Sequence, residues 1–266
     1  MYPVINIFGK LVTLYAIMVI IGILVIFIYL HFKLKGENDY KYIMTLLFAS
    51  IGAVIGSHLL YGLTNISFII KLFSHLDIID SFKTFFSIFR YVFGGSVYYG
   101  GLIGGLIGGF LYLKISKNKD KQIVDLLVPI IPLFHAFGRI GCFLVGCCYG
   151  VESKFGFTYT HSLVELANGV NRFPVQLVEA FCEFMLFLIL NYLLKHEKCK
   201  NKLLYIYLIS YGIIRFGLEF LRGDSYRGFI GILSTSQLIS ILIILFSIFM
   251  LYKYQKKSKD KLYKMT

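Results

Sequence analysis

The chain has 266 residues, 58% hydrophobic and only 15% charged, with a mean hydropathy of +0.75; soluble domains carry about 25% charge. That balance excludes an ordinary soluble globular fold and predicts an all-α polytopic membrane protein in a lipid bilayer. The net charge of +13 falls mostly in short loops and a tail, so it reads as an orientation signal and not as a nucleic-acid surface.

Leu11–Phe32 is the first expected span and carries Tyr15. It is too long for a signal-peptide core and no small-residue cleavage site follows it, so it is expected to stay in the membrane. After a polar loop, Lys41–Leu63 forms the second span, interrupted by Gly52, Gly56, Ser57 and His58. The segment 64–93 mixes apolar clusters with Lys71, Asp77, Asp80, Lys83 and Arg90. It reads as an external stretch with one or two interfacial amphipathic helices.

Gly94–Lys114 is the third span. Its glycines at 100, 104 and 108, and again at 101, 105 and 109, recur every four residues, which lets a neighbouring backbone approach closely. Ile123–Tyr149 is the fourth span, with Pro129 and Pro132 expected to kink or break it. Residues 150–172 are polar and external. The fifth span opens at Phe173-Pro174 and runs to about Leu194, the sixth is Leu203–Leu221, and the seventh is Ile232–Tyr252, followed by a lysine-rich tail. We read 1–252 as one membrane domain and 253–266 as a cytoplasmic tail.

Seven spans put the termini on opposite sides. The loops 33–41, 114–121 and 195–202 with the tail hold 17 Lys/Arg, against 7 in 64–93, 150–173 and 222–231. The positive-inside rule then sets the N-terminus outside and the C-terminus inside.

Within the spans sit Arg139, Arg215, Asp125, Glu179, Glu183 and Glu219. A cation at the bilayer centre costs about 2.5–3.5 kcal/mol or more, so each is a functional candidate by default. Arg215 and Glu219 share a helix face and can pair; a purely structural pair is the plainer alternative. Arg222 continues the row one turn on. Three arginines suit an anion held by guanidinium forks, and a phospholipid head group is the anion at hand.

The cysteines are ambiguous. Cys142, Cys147 and Cys148 with His135 suggest a metal site, but the spacing is C-x4-C-C, and on a helix 147 and 148 point apart, so no metal is expected. Apolar filling is the plain reading; thiol chemistry or a disulfide on the outer face stays open. Tyr98, Tyr99 and Tyr211 suit packing or interfacial roles as well as chemical ones.

These residues resemble a known family. Leu14-Tyr15-Ala16, the run Gly94–Gly104, Gly138-Arg139-Ile140-Gly141, Arg172-Phe173-Pro174-Val175-Gln176-Leu177-Val178-Glu179 and Tyr211–Arg222 are similar, in order and over nearly the whole chain, to elements of prolipoprotein diacylglyceryl transferase. The resemblance implies an enzyme of the bacterial cytoplasmic membrane, expected as a monomer. It takes phosphatidylglycerol and a preprolipoprotein signal peptide. The lipobox cysteine thiolate attacks the glyceryl carbon next to phosphate, a thioether forms, and glycerol-1-phosphate leaves. Arg139 and Arg215 would hold the phosphate, with Tyr99 and Glu219 as further catalytic candidates. Tyr15, Gly150, Gln176, Glu179, Tyr211 and Arg222 would bind substrate. The resemblance calls for no metal or organic cofactor.

The chain departs from the family pattern at four places. Cys142 stands for an Asn, Cys147 for an acidic residue, Tyr99 for the third-span His, and His58 for a second-span Arg. An unperturbed phenol, with a pKa near 10, is a poor base, so His58 and His135 are the substitutes to consider. A related lipid transferase with another acceptor, or a non-catalytic carrier of anionic lipid, accounts for the arginines as well. A transporter fits less well, because the two halves show no matching pair of broken segments.

Overall fold

Helices dominate the computed structural model, which describes residues 3–34, 39–73, 80–118, 120, 122–224 and 228–263. Asp77, Arg227 and the last three residues of the basic tail lie outside these. Among the described residues, six helical segments are long and apolar enough to cross a membrane. The helices α4 (Phe82–Phe93) and α5 (Tyr98–Ile115), bent by 93° where they meet, supply a seventh if they are counted together. The chain is an all-α polytopic membrane protein, decorated among the described residues by three small antiparallel hairpins.

Two compact units are present. The first comprises residues 1–35 and 121–266. It opens with strands β1 (Val4–Ile7) and β2 (Lys10–Thr13), paired from Val4↔Thr13 to Ile7↔Lys10. Phe8 and Gly9 between them both have positive φ, 49° and 79°, the requirement of a type I′ hairpin turn. The hairpin delays the first helix: α1 runs Leu14–Lys33, not from Leu11. Thr13 caps it, its Oγ1 accepting from the Ala16 N–H at 3.2 Å.

The expected fourth span is two helices, α6 (Gln122–Leu127) and α7 (Ile130–Val145). Pro129 sits at the break, and Pro132 falls in the first turn of α7, where a missing N–H costs nothing. Asp125 has a structural task. Its carboxylate accepts the backbone N–H groups of Asn201 and, at 3.3 Å, of Leu203, capping α9 (Leu203–Leu218) from another helix.

Helix α7 stops at Val145, four residues before the expected end. Gly146 takes φ +82°, and its N–H bonds the Cys142 carbonyl at 2.9 Å. Cys147 and Cys148 therefore leave the helix.

The loop after α7 forms strands β3 (Glu152–Thr158) and β4 (Asn171–Arg172). It leads into α8 (Val175–Lys195). Helix α9 ends in a 3-10 turn over Glu219–Leu221. Strands β5 (Phe229–Ile230) and β6 (Leu233–Ser234) precede α10 (Thr235–Tyr263). Ser234 and Gln237 close a capping box at the start of α10: the Gln237 N–H donates to Ser234 Oγ and the Ser234 N–H to Gln237 Oε1. Packing in this unit runs in series, α1 on α7, α7 on α8, α8 on α9 and α9 on α10.

The second unit, residues 36–120, is organised by α2 (Asp39–Thr64) against α5, with α3 (Ile66–Phe73) and α4 between them in the chain. The expected small-residue ridge is present. A Cβ at Gly104 would lie 2.2 Å from the Gly52 carbonyl oxygen, and one at Gly100 would lie 2.3 Å from that of Gly56. The second glycine row has more room, the nearest atom to a Cβ at Gly101 being 3.5 Å away. His58 Nδ1 lies 2.8 Å from both the Phe93 and Gly95 carbonyls. Both partners are acceptors, so Nδ1 carries the proton and staples the α4–α5 bend. Tyr99 is buried on α5, 2% exposed.

Candidate active site

Three helices of the first unit bring an alternating row of charges together. Arg139 on α7 sets Nε 3.0 Å from Glu179 Oε2 on α8. Arg215 on α9 reaches the same carboxylate oxygen at 3.7 Å and forms an ion pair with Glu219, Nη2 to Oε2, at 2.6 Å. Arg222 lies 3.8 Å from Glu219 and grips Asp224 with two hydrogen bonds, Nε to Oδ1 at 2.8 Å and Nη2 to Oδ2 at 2.5 Å. The sequence Arg139, Glu179, Arg215, Glu219, Arg222, Asp224 is thus neutral in sum, and each member is less than a tenth exposed. Unpaired, any of these charges would be strongly destabilising at such depth; in a chain of pairs each is tolerated.

His135, one turn before Arg139, completes the inner end. Its Nε2 accepts from Arg139 Nε at 3.1 Å, so its proton sits on Nδ1, which faces Glu183 Oε1 at 3.4 Å. His135 thus holds Arg139 through Nε2 and sets Nδ1 toward Glu183. Its ring meets Tyr211 edge-on at 5.5 Å, and Tyr211 stacks on Tyr207 at 5.9 Å.

Arg139 differs from the other two arginines. Its hydrogen bond to His135 and its closest approach to Glu179 both run through Nε, and among the described residues Nη1 and Nη2 make no hydrogen bond to a carboxylate. A fork of donors is therefore left for a further anion. At the other end, burial acts to lower the Arg222 pKa, but the Asp224 hydrogen bonds overcome it and the net shift is upward, so Arg222 is a permanent cation.

Backbone pairing sets the outer end. Gly150 bridges Arg222 in antiparallel fashion, and the Gly223 N–H donates to the Tyr149 carbonyl at 2.9 Å. A Cβ at Gly150 would meet the Phe173 carbonyl at 2.2 Å, so only glycine allows this crossing. Arg172 stacks over the Tyr149 ring at 4.1 Å and donates to the Leu166 and Gly150 carbonyls; it is a strut, its charge spent on backbone oxygens.

The profile of the family described as prolipoprotein diacylglyceryl transferase matches residues 3–253. A phosphatidylglycerol–prolipoprotein diacylglyceryl transferase of Clostridium tetani is 38% identical over 256 residues, covering 94% of this chain and 96% of that protein. One of Clostridium perfringens, numbered 2 in its name, is 36% identical over 84% of this chain and 82% of its own length. One of Finegoldia magna is 36% identical over 63% and 66%. The chain belongs to the prolipoprotein diacylglyceryl transferase family.

Of the residues expected from this family's pattern, Arg139, Glu179, Tyr211, Arg215, Glu219 and Arg222 come together in the row, and Gly150 supports it through backbone. Tyr15, half-exposed at the start of α1, packs on the signature: a Cβ at Gly141 would lie 2.9 Å from its ring. Gln176 stands apart from the row. It is 1% exposed and its Nε2 donates to the Cys147 carbonyl at 2.8 Å and toward the Tyr159 hydroxyl at 3.4 Å, so it holds the cysteine loop. Tyr99 and His58 belong to the second unit.

Asp224 and Glu183 are additions that sequence reasoning did not place in the transferase site. Asp224 had a faint signal, a carboxylate two residues after the last arginine of the row. Glu183, 0% exposed, lies one turn after Glu179 on α8.

The expectation that Cys147 and Cys148 diverge on a helix is overturned. Cys148 adopts φ +53°, and the sulfurs of Cys142, Cys147 and Cys148 all lie within 4.8 Å of one another. None of the five cysteines forms a disulfide.

Proposed function

We propose that this transferase moves the diacylglyceryl group of phosphatidylglycerol onto the lipobox cysteine of a preprolipoprotein signal peptide, in a bacterial cytoplasmic membrane, as a monomer with its N-terminus outside. The observation that carries this reading is the open guanidinium fork of Arg139 within an otherwise self-paired row. The phosphodiester would dock on Arg139 Nη1 and Nη2, with Arg215 behind it. The acceptor sulfur attacks the glyceryl carbon bonded to phosphate oxygen. A C–S bond forms and that C–O bond breaks. Glycerol-1-phosphate leaves, and the arginines stabilise the charge that gathers on its phosphate. The thiol's proton is balanced by the new phosphate monoester.

Glu179 and Glu219 orient the arginines and are not consumed. Tyr211 and His135 wall the row, and Tyr15, Gln176 and Gly150 shape the loops and helices beside it. Tyr99 is a further candidate for the chemistry; Tyr99→Phe tests its hydroxyl.

The test is direct. Purified protein in phosphatidylglycerol vesicles is given a lipobox peptide. Mass spectrometry should show one diacylglyceryl adduct on cysteine, with equimolar release of glycerol phosphate. A peptide that stays unmodified, while the lipid binds, would favour a non-catalytic anionic-lipid carrier instead.

A further inference from the structure

The phosphate row spends its charged groups largely on one another. His135 has Nε2 on Arg139 and Nδ1 facing Glu183, and His58, in the second unit, sets Nδ1 on two carbonyls. Next to Arg139 stands a group of side chains that the row does not use. Cys142 closes the last turn of α7. Gly146, in the left-handed region, turns the chain back over that helix end. Cys148, also left-handed at φ +53°, sends its side chain to the same spot as its neighbour. That conformation is unfavourable for a residue with a Cβ and persists only where surroundings enforce it.

Several contacts enforce it. The Gln176 amide holds the Cys147 carbonyl, and Gly223 and Gly150 tie down Tyr149 and the following turn. Ser162 Oγ donates to the Val145 carbonyl at 2.9 Å, and a Cβ at Gly146 would strike that hydroxyl. Supports of this kind would fix the side chains of a ligand site.

We infer that Cys142, Cys147 and Cys148 form a three-thiolate zinc site whose fourth position takes the sulfur of the acceptor cysteine. The inference rests on the transferase reading for its acceptor. A tetrahedral site with Zn–S near 2.3 Å sets its sulfurs about 3.8 Å apart. Three sulfurs within 4.8 Å of one another need to close by only about 1 Å to reach it. Cys142 is buried while Cys147 and Cys148 keep partial exposure, so the open position faces the accessible side. Three protein ligands plus one exchangeable position is the arrangement of reactive zinc, not of closed structural zinc.

The charges also fit. Three thiolates around Zn²⁺ carry net −1, and Arg139 stands one turn before Cys142 on α7. Coordination deprotonates a thiol outright, which supplies the nucleophile without a side-chain base. The acceptor S–H loses its proton to water on binding zinc, its sulfur forms the C–S bond as the glyceryl C–O bond to phosphate breaks, glycerol-1-phosphate leaves and takes up a proton from water, and the neutral thioether product is a weak ligand that departs.

The test uses the full chain, purified reduced in lipid nanodiscs. Metal analysis should find one zinc per chain, absent from Cys142→Ser and Cys148→Ser, and retained in the control Cys199→Ser. Co²⁺ exchanged into the wild type should show a thiolate-to-metal charge-transfer band. That band should grow on adding a lipobox peptide and stay unchanged with the Cys→Ser peptide. Chelation of the wild type, which avoids any folding defect of a variant, should abolish transfer, and Zn²⁺ should restore it.

Zinc-free protein with three alkylatable thiols, or a pair of the thiols oxidised to a disulfide, overturns the site. A cobalt spectrum indifferent to the peptide, or full transfer after chelation, overturns the role of the fourth position while leaving the transferase reading intact. Conversely, a peptide-sensitive cobalt band with no lipid transfer keeps the site and removes the transferase reading.

Discussion

Arg139 Nε lies 3.0 Å from Glu179 Oε2, so the signature arginine on one helix is neutralised by a carboxylate on the next before any ligand arrives. The same oxygen faces Arg215 at 3.7 Å. Glu179 is therefore the hinge of the row: one buried negative charge shared by two buried positive ones. An incoming phosphodiester adds a negative charge to a set that already sums to zero. In the proposed docking it would be accommodated because two guanidiniums share one carboxylate and Arg139 keeps its two Nη groups for it.

Glu179→Gln keeps the shape and removes the charge. Breaking a buried pair from one side typically costs about 3–5 kcal/mol, so the variant should melt at clearly lower temperature in detergent. Anionic lipid then has more to compensate. Added phosphatidylglycerol should recover a larger part of the melting temperature in the variant than it adds to the wild type. Equal stabilisation of both proteins would show that the phosphate does not meet this part of the row.

Arg139→Lys preserves charge but not the fork. Lysine offers a point charge where the guanidinium offers separate Nε and Nη donors. With Nε engaged by Glu179 and His135, the lysine ammonium has to choose between them and the ligand. Transfer to a lipobox peptide should fall by roughly 10²-fold, the usual cost of one lost oxyanion donor. Near wild-type turnover would mean that Arg139 acts only through its charge.

Much of this arrangement was legible in the chain. Arginines inside apolar runs demand partners, and the four-residue spacing of Arg215 and Glu219 placed that pair on one face, where it is found. The glycine rows announced a close helix contact, though only packing distinguishes the tight row at 100, 104 and 108 from the looser one. What escaped were local backbone events. A two-residue hairpin turn at Phe8-Gly9 delayed α1, and an early left-handed cap at Gly146 released Cys147 and Cys148 from the helix. Periodicity does not report such caps, and a glycine within an apolar run gives little warning of which turn it will make. His135 and His58 were also opaque, because a histidine's availability depends on which carbonyls and carboxylates surround its two nitrogens.

The glycine ridge gives a paired comparison. At Gly104 a Cβ would sit 2.2 Å from the Gly52 oxygen and 2.9 Å from the Gly56 Cα, all backbone. At Gly101, three residues earlier, the nearest atom is 3.5 Å away. Gly104→Ala should therefore destabilise by about 1–3 kcal/mol through overpacking, and Gly101→Ala should be nearly neutral. Thermal aggregation of the two variants in one detergent decides the matter; similar losses at both positions would contradict the tight contact of α2 with α5.

Gly146 is constrained twice over. Its φ of +82° disfavours any residue with a Cβ by about 1–2 kcal/mol. A Cβ there would also lie 2.4 Å from Ser162 Oγ. Gly146→Ala should unseat the end of α7 and spread the three sulfurs, seen as faster alkylation of Cys142 by a maleimide. Adding Ser162→Ala relieves the clash but not the backbone, so part of the defect should persist. Complete rescue by the second change would assign the whole effect to the clash.

Asp224 offers the cleanest test of how the row is aimed. Its two oxygens take Nε and Nη2 of Arg222, while the Gly150 bridge holds the Arg222 backbone independently. Asp224→Asn leaves the backbone in place but supplies one acceptor where there were two, and the amide nitrogen repels the guanidinium. Arg222 then leans toward Glu219, 3.8 Å away, and is no longer held in aim at a phosphate on the row. Because Arg222 pairs with Glu219 and Asp224 and not with Glu179, the expected effect falls on lipid capture: KM for phosphatidylglycerol should rise about 10-fold, equivalent to about 1.4 kcal/mol, with kcat little changed. A fall in kcat at unchanged KM would instead move Arg222 into the bond-breaking step.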